Sequence, residues 1–173
     1  LHGYVCVYGF PFDPRLWIAF IVHDWGYWGK PNMDGQEGDL HPYLGADIMG
    51  VIFGWEWFNF CLSHSRFLAK KRCQPYSRLC VADKLSVAME PAWLYLPRAR
   101  ASGELYEYMS LAGGKDDSKY KGEPNDKYVH MKILEGTPEA WFDAVCHYLK
   151  QWVHEHKDLK EDTWTKLNGD GMS

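Results

Sequence analysis

The sequence predicts an all-α protein, and three observations carry that expectation. Apolar residues recur at helical spacing, most clearly Trp141, Val145, Tyr148, Leu149, Trp152 and Val153, the i, i+3, i+4, i+7 stripe of a helix with one buried face. Two helix starts, Asp13-Pro14 and Thr137-Pro138, each place a side-chain acceptor at the N-cap and proline at the first helical position. No segment shows the sustained apolar–polar alternation of a half-buried strand.

The first helix implied by this pattern begins at Asp13-Pro14 and carries Trp17, Ile18, Ile21 and Val22 toward the core. It ends near Trp25-Gly26, with His23 and Asp24 in its last turn. Residues 29–40, rich in glycine and acidic residues, read as a loop. A second helix runs from about Pro42 to Phe53 with Leu44, Ile48, Val51 and Ile52 inward. A third runs from about Glu56 to Arg72, where Lys70-Lys71-Arg72 suits the negative end of the helix dipole, and Pro75 follows. Within it, Trp55-Glu56-Trp57 reads as core. A fourth runs from about Tyr76 to Glu90, with Leu79, Cys80, Ala82 and Leu85 on one face. Residues 91–111 read as partly helical and 112–127 as a solvated loop. The last helix starts at Thr137, and the chain after Lys157 is polar. No repeat and no composition shift divides the chain, so one domain is expected over 1–173.

With 173 residues, 46% of them hydrophobic and 16% aromatic, the chain can bury a sizeable core and is too apolar for a disordered class. A net charge of −4 gives no broad surface for a nucleic-acid duplex. The longest apolar run, Leu16 to Val22, is too short to cross a membrane, and no signal peptide is visible. The cysteines Cys6, Cys61, Cys73, Cys80 and Cys146 are odd in number and form no C-x-x-C pair. They read as reduced core thiols of a cytoplasmic protein.

The chemistry begins at Ile21-Val22-His23-Asp24, where an apolar run ends in two adjacent ionisable groups. Burying such a doublet is costly unless the groups are paired or hold a metal. Four further candidates fall in the same half, and His2, the doublet, His41, His64 and Asp83 follow one another at separations of 17 to 23 residues. Each gap is about one helix and one loop, so ligands from successive helices can converge inside a bundle. Imidazole nitrogen with carboxylate oxygen is a ligand set for a first-row transition metal.

The order His2, His23-Asp24, His41, His64, Asp83 resembles the HD-domain superfamily in its two-metal form. His23-Asp24 is similar to the signature doublet, and Asp83 in Leu79-Cys80-Val81-Ala82-Asp83-Lys84-Leu85 to the closing aspartate. His41-Pro42-x-x-Gly45 and His64 in Leu62-Ser63-His64-Ser65-Arg66 resemble the two extra histidines of bimetallic members. Similar orders occur in HD-GYP cyclic-dinucleotide phosphodiesterases, in YqeK-type dinucleoside tetraphosphate hydrolases, which the short gap from His64 to Asp83 resembles most, and in HD-fold di-iron oxygenases. The resemblance covers residues 2–90, which makes 1–90 the expected metal-binding core and 91–173 additional helices.

The resemblance implies an HD-domain helical bundle holding two divalent transition-metal ions (Fe, Mn, Co, Ni or Zn). His2, His23 and Asp83 would bind one ion, His41 and His64 the other, and Asp24 would bridge them. It implies a metal-dependent phosphohydrolase that turns a metal-activated water on a nucleotide or other small-molecule phosphoester. Lys30, Arg66 and Lys84 are the candidates for phosphate contact. Lys30 stands two residues beyond the usual HD-x-G-K position, behind an inserted Tyr27-Trp28. Trp25, Tyr27 and Trp28 read as packing residues that could also stack on a base. The acidic Asp34, Glu37 and Asp39 read as a solvated segment beside the site, able to act as a lid. The same ligand order also suits a di-iron oxygenase, and a third reading is a non-catalytic, metal-stabilised nucleotide-binding module. His130, His147, His154 and His156 fall outside the ligand order. The Trp-rich stripe of the last helix could serve a homodimer.

Overall fold

A computed structural model of the chain describes residues 1–29, 38–105, 109 and 137–165. Among them the structure is helical, without a strand. The helices are α1 (His2–Tyr8), α2 (Pro14–Val22), α3 (Pro42–Phe53), α4 (Trp55–Leu62), α5 (Arg66–Lys71), α6 (Arg78–Met89), α7 (Ala92–Ser102) and α8 (Pro138–His156). Short 3-10 turns at Trp25–Tyr27 and Gly38–Leu40 flank the loop before α3. The loop expected over 112–127 lies outside the described residues.

Both helix starts behave as their sequence requires. The Asp13 carboxylate accepts from the Arg15 amide at 2.9 Å, and Pro14 opens α2. The Thr137 hydroxyl accepts from the Ala140 amide at 3.3 Å, and Pro138 opens α8. α6 lies at the centre and packs on both α1 and α8. Its Leu79, Cys80, Val81 and Ala82 are all buried, and Leu85 is half-buried. Contact with α1 is close: a Cβ on Gly3 would lie 2.3 Å from the Ala82 carbonyl oxygen.

The inward faces of α2 and α3 differ from the expected ones. Ala19 and Val22 are the buried residues of α2, while Trp17, Ile18 and Ile21 are exposed. In α3 the buried residues are Pro42, Gly45, Ala46 and Met49. Ile48 is half-buried, and Leu44, Val51 and Ile52 are exposed. Close backbone approach is the physical reason. A Cβ on Gly45 would sit 2.5 Å from the Val22 carbonyl oxygen and 2.8 Å from His23 Cα. Only the small-residue faces can meet at that separation, so the bulky residues turn outward.

The expected third helix is two helices. α4 ends at Leu62, Ser63-His64-Ser65 interrupts, and the Ser65 hydroxyl caps α5 by accepting from the Leu68 amide at 3.3 Å. Lys70 and Lys71 lie in the last turn of α5, as the dipole favours. Trp55 is exposed rather than core, and Trp57 is half-buried. Trp25 and Trp28 are exposed as well. Among the cysteines, which are all free, Cys61 and Cys80 are buried, but Cys6 and Cys73 are exposed, so not all are core thiols.

On α8 the predicted stripe is the buried one: Trp141, Tyr148, Leu149, Trp152 and Val153 are inside and Val145 is half-buried. Trp152 is fully buried, so this stripe fills the core and is not a surface for a homodimer. Among the described residues no helix is long and apolar enough to cross a membrane.

The chain beyond α8 is held by Asp162. Its carboxylate accepts from Trp152 Nε1 at 3.3 Å, from the Trp164 and Thr165 amides at 3.0 and 3.2 Å, and from the Thr165 hydroxyl. Burial raises its pKa, but these hydrogen bonds and the Arg66 charge outweigh burial and hold it below the ordinary value. A depressed carboxylate pKa stabilises the fold above the unfolded value of about 3.9 and loses that contribution as pH falls through the folded value. Asp162→Ala is expected to lower unfolding free energy by about 2 kcal/mol at neutral pH, measured by urea denaturation, with a smaller difference below pH 3.

Candidate metal centre

Three histidines stand where helical turns end. His23 follows α2, His41 follows the 3-10 turn Gly38–Leu40, and His64 follows α4 by two residues. Each imidazole bonds the carbonyl three residues back: His23 Nδ1 on Phe20 O at 3.1 Å, His41 Nδ1 on Gly38 O at 2.5 Å, His64 Nδ1 on Cys61 O at 2.6 Å. Gly38 O and Cys61 O also accept from the same histidine's backbone amide, at 3.0 and 3.1 Å. A carbonyl only accepts, so each Nδ1 carries the proton. Each Nε2 therefore points its lone pair into the common space between the helices unless it is protonated too.

The Nε2 atoms converge on Asp24. Asp24 Oδ2 lies 3.0 Å from His23 Nε2, while Oδ1 lies 3.5 Å from His41 Nε2 and 3.3 Å from His64 Nε2. The two oxygens of one carboxylate thus face two different groups of imidazoles. Asp83 Oδ1 is 3.7 Å from His23 Nε2, and its Oδ2 accepts from Lys84 Nζ at 2.9 Å. His41 Nε2 and His64 Nε2 are 3.0 Å apart. With the Nδ1 protons fixed, these two nitrogens bring lone pairs together unless a second proton or a cation lies between them.

These separations suit ligand atoms around a shared ion. Metal–nitrogen bonds of about 2.1 Å place ligand atoms about 3.0 Å apart along an octahedral edge and about 3.4 Å along a tetrahedral one. His23, Asp24 and His64 have ligand atoms all within 4.8 Å of one another.

Protonation follows from the surroundings. Burial and the neighbouring His64 push the His41 pKa down to about 3, so His41 is a neutral ligand at pH 7. His23 is the opposite case. Burial disfavours its charge, yet hydrogen bonds and charges from Asp24 and Asp83 outweigh burial and raise it to about 10. Asp24 is held below the ordinary carboxylate range: burial opposes this, and hydrogen bonds from His23 and His64 prevail. Asp83 is held well below it against burial, chiefly by the Lys84 charge and His23.

Glycines permit the convergence. A Cβ on Gly26 would lie 1.9 Å from the His41 carbonyl oxygen, so the turn after Asp24 touches the backbone at the start of α3. Gly45 lets α3 lie against His23, as above. Tyr27 stacks on the His41 ring with centroids 3.8 Å apart and planes at 14°.

The centre opens into a cavity of about 550 Å³, whose lining includes Asp24, His41, His64, Asp83, Arg66 and Lys84. Five of the six expected ligands therefore meet. His2 is exposed on α1 and shares none of the contacts that join the others. Lys30, Asp34 and Glu37 lie outside the described residues, while Asp39 borders the cavity. Tyr148 and the cavity wall at Tyr95, Glu104 and Trp141 come from helical segments whose sequence carries no ligand spacing; the aromatic stripe of α8 is the signal that points to Tyr148 and Trp141. No protein-family model, curated protein or solved structure matches the chain.

Two outcomes follow from this geometry. Metal uptake at pH 7 is expected to expel the His23 proton, releasing about one proton per chain into weakly buffered solution, so that affinity climbs as pH rises toward 10. An indicator-dye titration checks it. Gly26→Ala is expected to displace His41 and lower metal affinity by about tenfold or more, measured by competition with a chromophoric chelator, while helix content by circular dichroism is kept.

Proposed function

We propose that this chain is a metal-dependent phosphohydrolase of the HD type, acting on a small phosphoester. The observation that carries the reading is the two-sided Asp24 carboxylate, with one oxygen toward His23 and the other toward the Nε2 atoms of His41 and His64, which are 3.0 Å apart. The ligand order His23-Asp24, His41, His64, Asp83 and the exit of the centre into a cavity with two cationic side chains support it.

Divalent transition ions at such a centre would supply a Lewis acid and a water acidic enough to act as nucleophile near neutral pH. The chain's own groups account for the rest. Asp24 holds both donor groups at one carboxylate, and Asp83 orients the Lys84 ammonium by their 2.9 Å contact. Arg66 lies over the Trp152 ring at 4.9 Å and donates from Nη1 to the Tyr148 hydroxyl at 3.2 Å, which fixes the plane of its guanidinium beside the cavity. A planar fork and a compact ammonium on one cavity wall suit phosphoryl oxygens.

Metal content measured by plasma mass spectrometry, on protein purified without a metal-affinity step, is the test. The expected result is about two transition-metal ions per chain, fewer than one in Asp24→Ala, and phosphate release from a phosphoester panel that falls at least about a thousandfold in the variant. Absence of metal after reconstitution overturns the reading. Iron with metal-dependent dioxygen consumption and no phosphate release moves the site to an oxygenase.

A further inference from the structure

Two cationic side chains line the cavity, and they differ in what they already hold. Lys84 Nζ lies 2.9 Å from Asp83 Oδ2, so its charge has a counter-ion in contact. Arg66 has none: among the described residues no carboxylate comes within ion-pair distance of its guanidinium. Asp162 acts on it by charge at longer range, but the Asp162 oxygens already accept from Trp152, Trp164 and Thr165. Arg66 is half-buried, and withdrawing a cation from water without a counter-ion is costly. A guanidinium presents a planar fan of N–H donors. The one hydrogen bond that Arg66 makes runs from Nη1 to the Tyr148 hydroxyl at 3.2 Å, and its other donors have no protein acceptor.

Tyr148 has the matching property. Its hydroxyl accepts from Arg66, and its own proton has no acceptor among the described residues. Both groups are held in place. The guanidinium carbon lies 4.9 Å from the centre of the fully buried Trp152 ring and 5.7 Å from that of Tyr148. The Tyr148 ring packs on Trp164 with centroids 5.2 Å apart. An entering ligand therefore has little side-chain freedom to remove. From these open donors on a fixed frame we propose that Arg66 and Tyr148 form an oxyanion site that needs no metal ion. The guanidinium fork binds two oxygens of a phosphoryl group, and the Tyr148 hydroxyl donates to a third. A carboxylate has no third oxygen, so it would fill the fork and leave Tyr148 unused. That the phosphoryl group belongs to a substrate rests on the function proposed above; the oxyanion site itself does not. If Arg66 served only to pack α5 on α8, its ring contacts would be enough and no anion would bind.

Inorganic phosphate and acetate are the probes, titrated by calorimetry into the full chain held in chelator, with helix content followed by circular dichroism. Phosphate is expected to bind about tenfold more tightly than acetate. Arg66→Met, which keeps an unbranched stem over Trp152, is expected to weaken both anions by about tenfold or more. Tyr148→Phe is expected to weaken phosphate by about fivefold and leave acetate unchanged. Three results overturn the inference: phosphate affinity that survives Arg66→Met, a Tyr148→Phe change that is the same for both anions, or no phosphate binding by the folded chain in chelator. If chelator melts the helices, the variants are titrated with metal present; a tenfold loss of phosphate affinity in Arg66→Met then upholds the site, and an unchanged affinity overturns it. Phosphate binding in chelator that depends on Arg66 and Tyr148, with no phosphate released from any ester by the metal-loaded chain, upholds the oxyanion site and overturns the hydrolase reading alone. Ester hydrolysis by a chain that binds no phosphate in chelator does the reverse.

Discussion

Three imidazole Nε2 atoms directed at one carboxylate are the constraint around which the rest of this protein is arranged. Each Nδ1–H is committed to a carbonyl three residues back, so none of the rings can turn its donor inward without losing that bond. The inward atoms are acceptors set against acceptors, and such a cluster is costly inside a protein unless a proton or a cation sits among them. At His23 a proton can do this, because Asp24 and Asp83 both favour its charge. At His41 it cannot, because burial and His64 drive the proton off. The two sides of Asp24 are thus electrostatically different, which is the asymmetry that a cation on the His41–His64 side corrects.

The helix packing answers to the same constraint. The end of α2, the start of α3 and the end of α4 must meet within a few ångströms. Ala19, Gly45, Ala46 and Gly26 make that possible by leaving no side chain at the crossing. Their smallness explains why large apolar residues of α2 and α3 face outward. The helices that carry the histidines keep a core of their own, built on Ala19, Val22, Ala46, Met49, Cys61 and Leu62, and a second core lies along α6 and α8, where Trp152, Val153, Cys80 and Val81 pack together. Arg66 reaches the second through its contacts with Tyr148 and Trp152.

The cavity reflects this division. His23, Asp24, His41 and His64 come from turns, where a side chain can be aimed independently of a helix face, and Asp83 from α6, whereas the wall from α8 sets apolar groups at the fixed intervals of a helix. Asp162 fastens the chain after α8, so that Thr165 also borders the cavity close to Arg66 and Lys70.

Capping and ligand order were written locally. Asp13-Pro14, Thr137-Pro138 and the apolar stripe of α8 each depend on neighbours within a few residues, and the sequence by itself determined them. It also determined which histidines and aspartates to collect, because His23-Asp24, His41, His64 and Asp83 recur at one helix and one loop. What it could not determine was helix phase where glycine and alanine compete with larger apolar residues. Hydrophobicity favours Ile21, Leu44 and Val51 as the inner face, and only the 2.5 Å approach at Gly45 reveals that bulk is excluded there. Nor could it show that Ser63-His64-Ser65 breaks a helix, since the Ser65 cap competes with an otherwise continuous helical pattern. His2 has the right separation from His23 but an exposed position, because distance along a chain does not fix the direction of a side chain. Which atoms face one another, and that Arg66 meets Tyr148 and Trp152 beside the cavity, were decided by tertiary packing alone, since those residues belong to helices far apart in sequence.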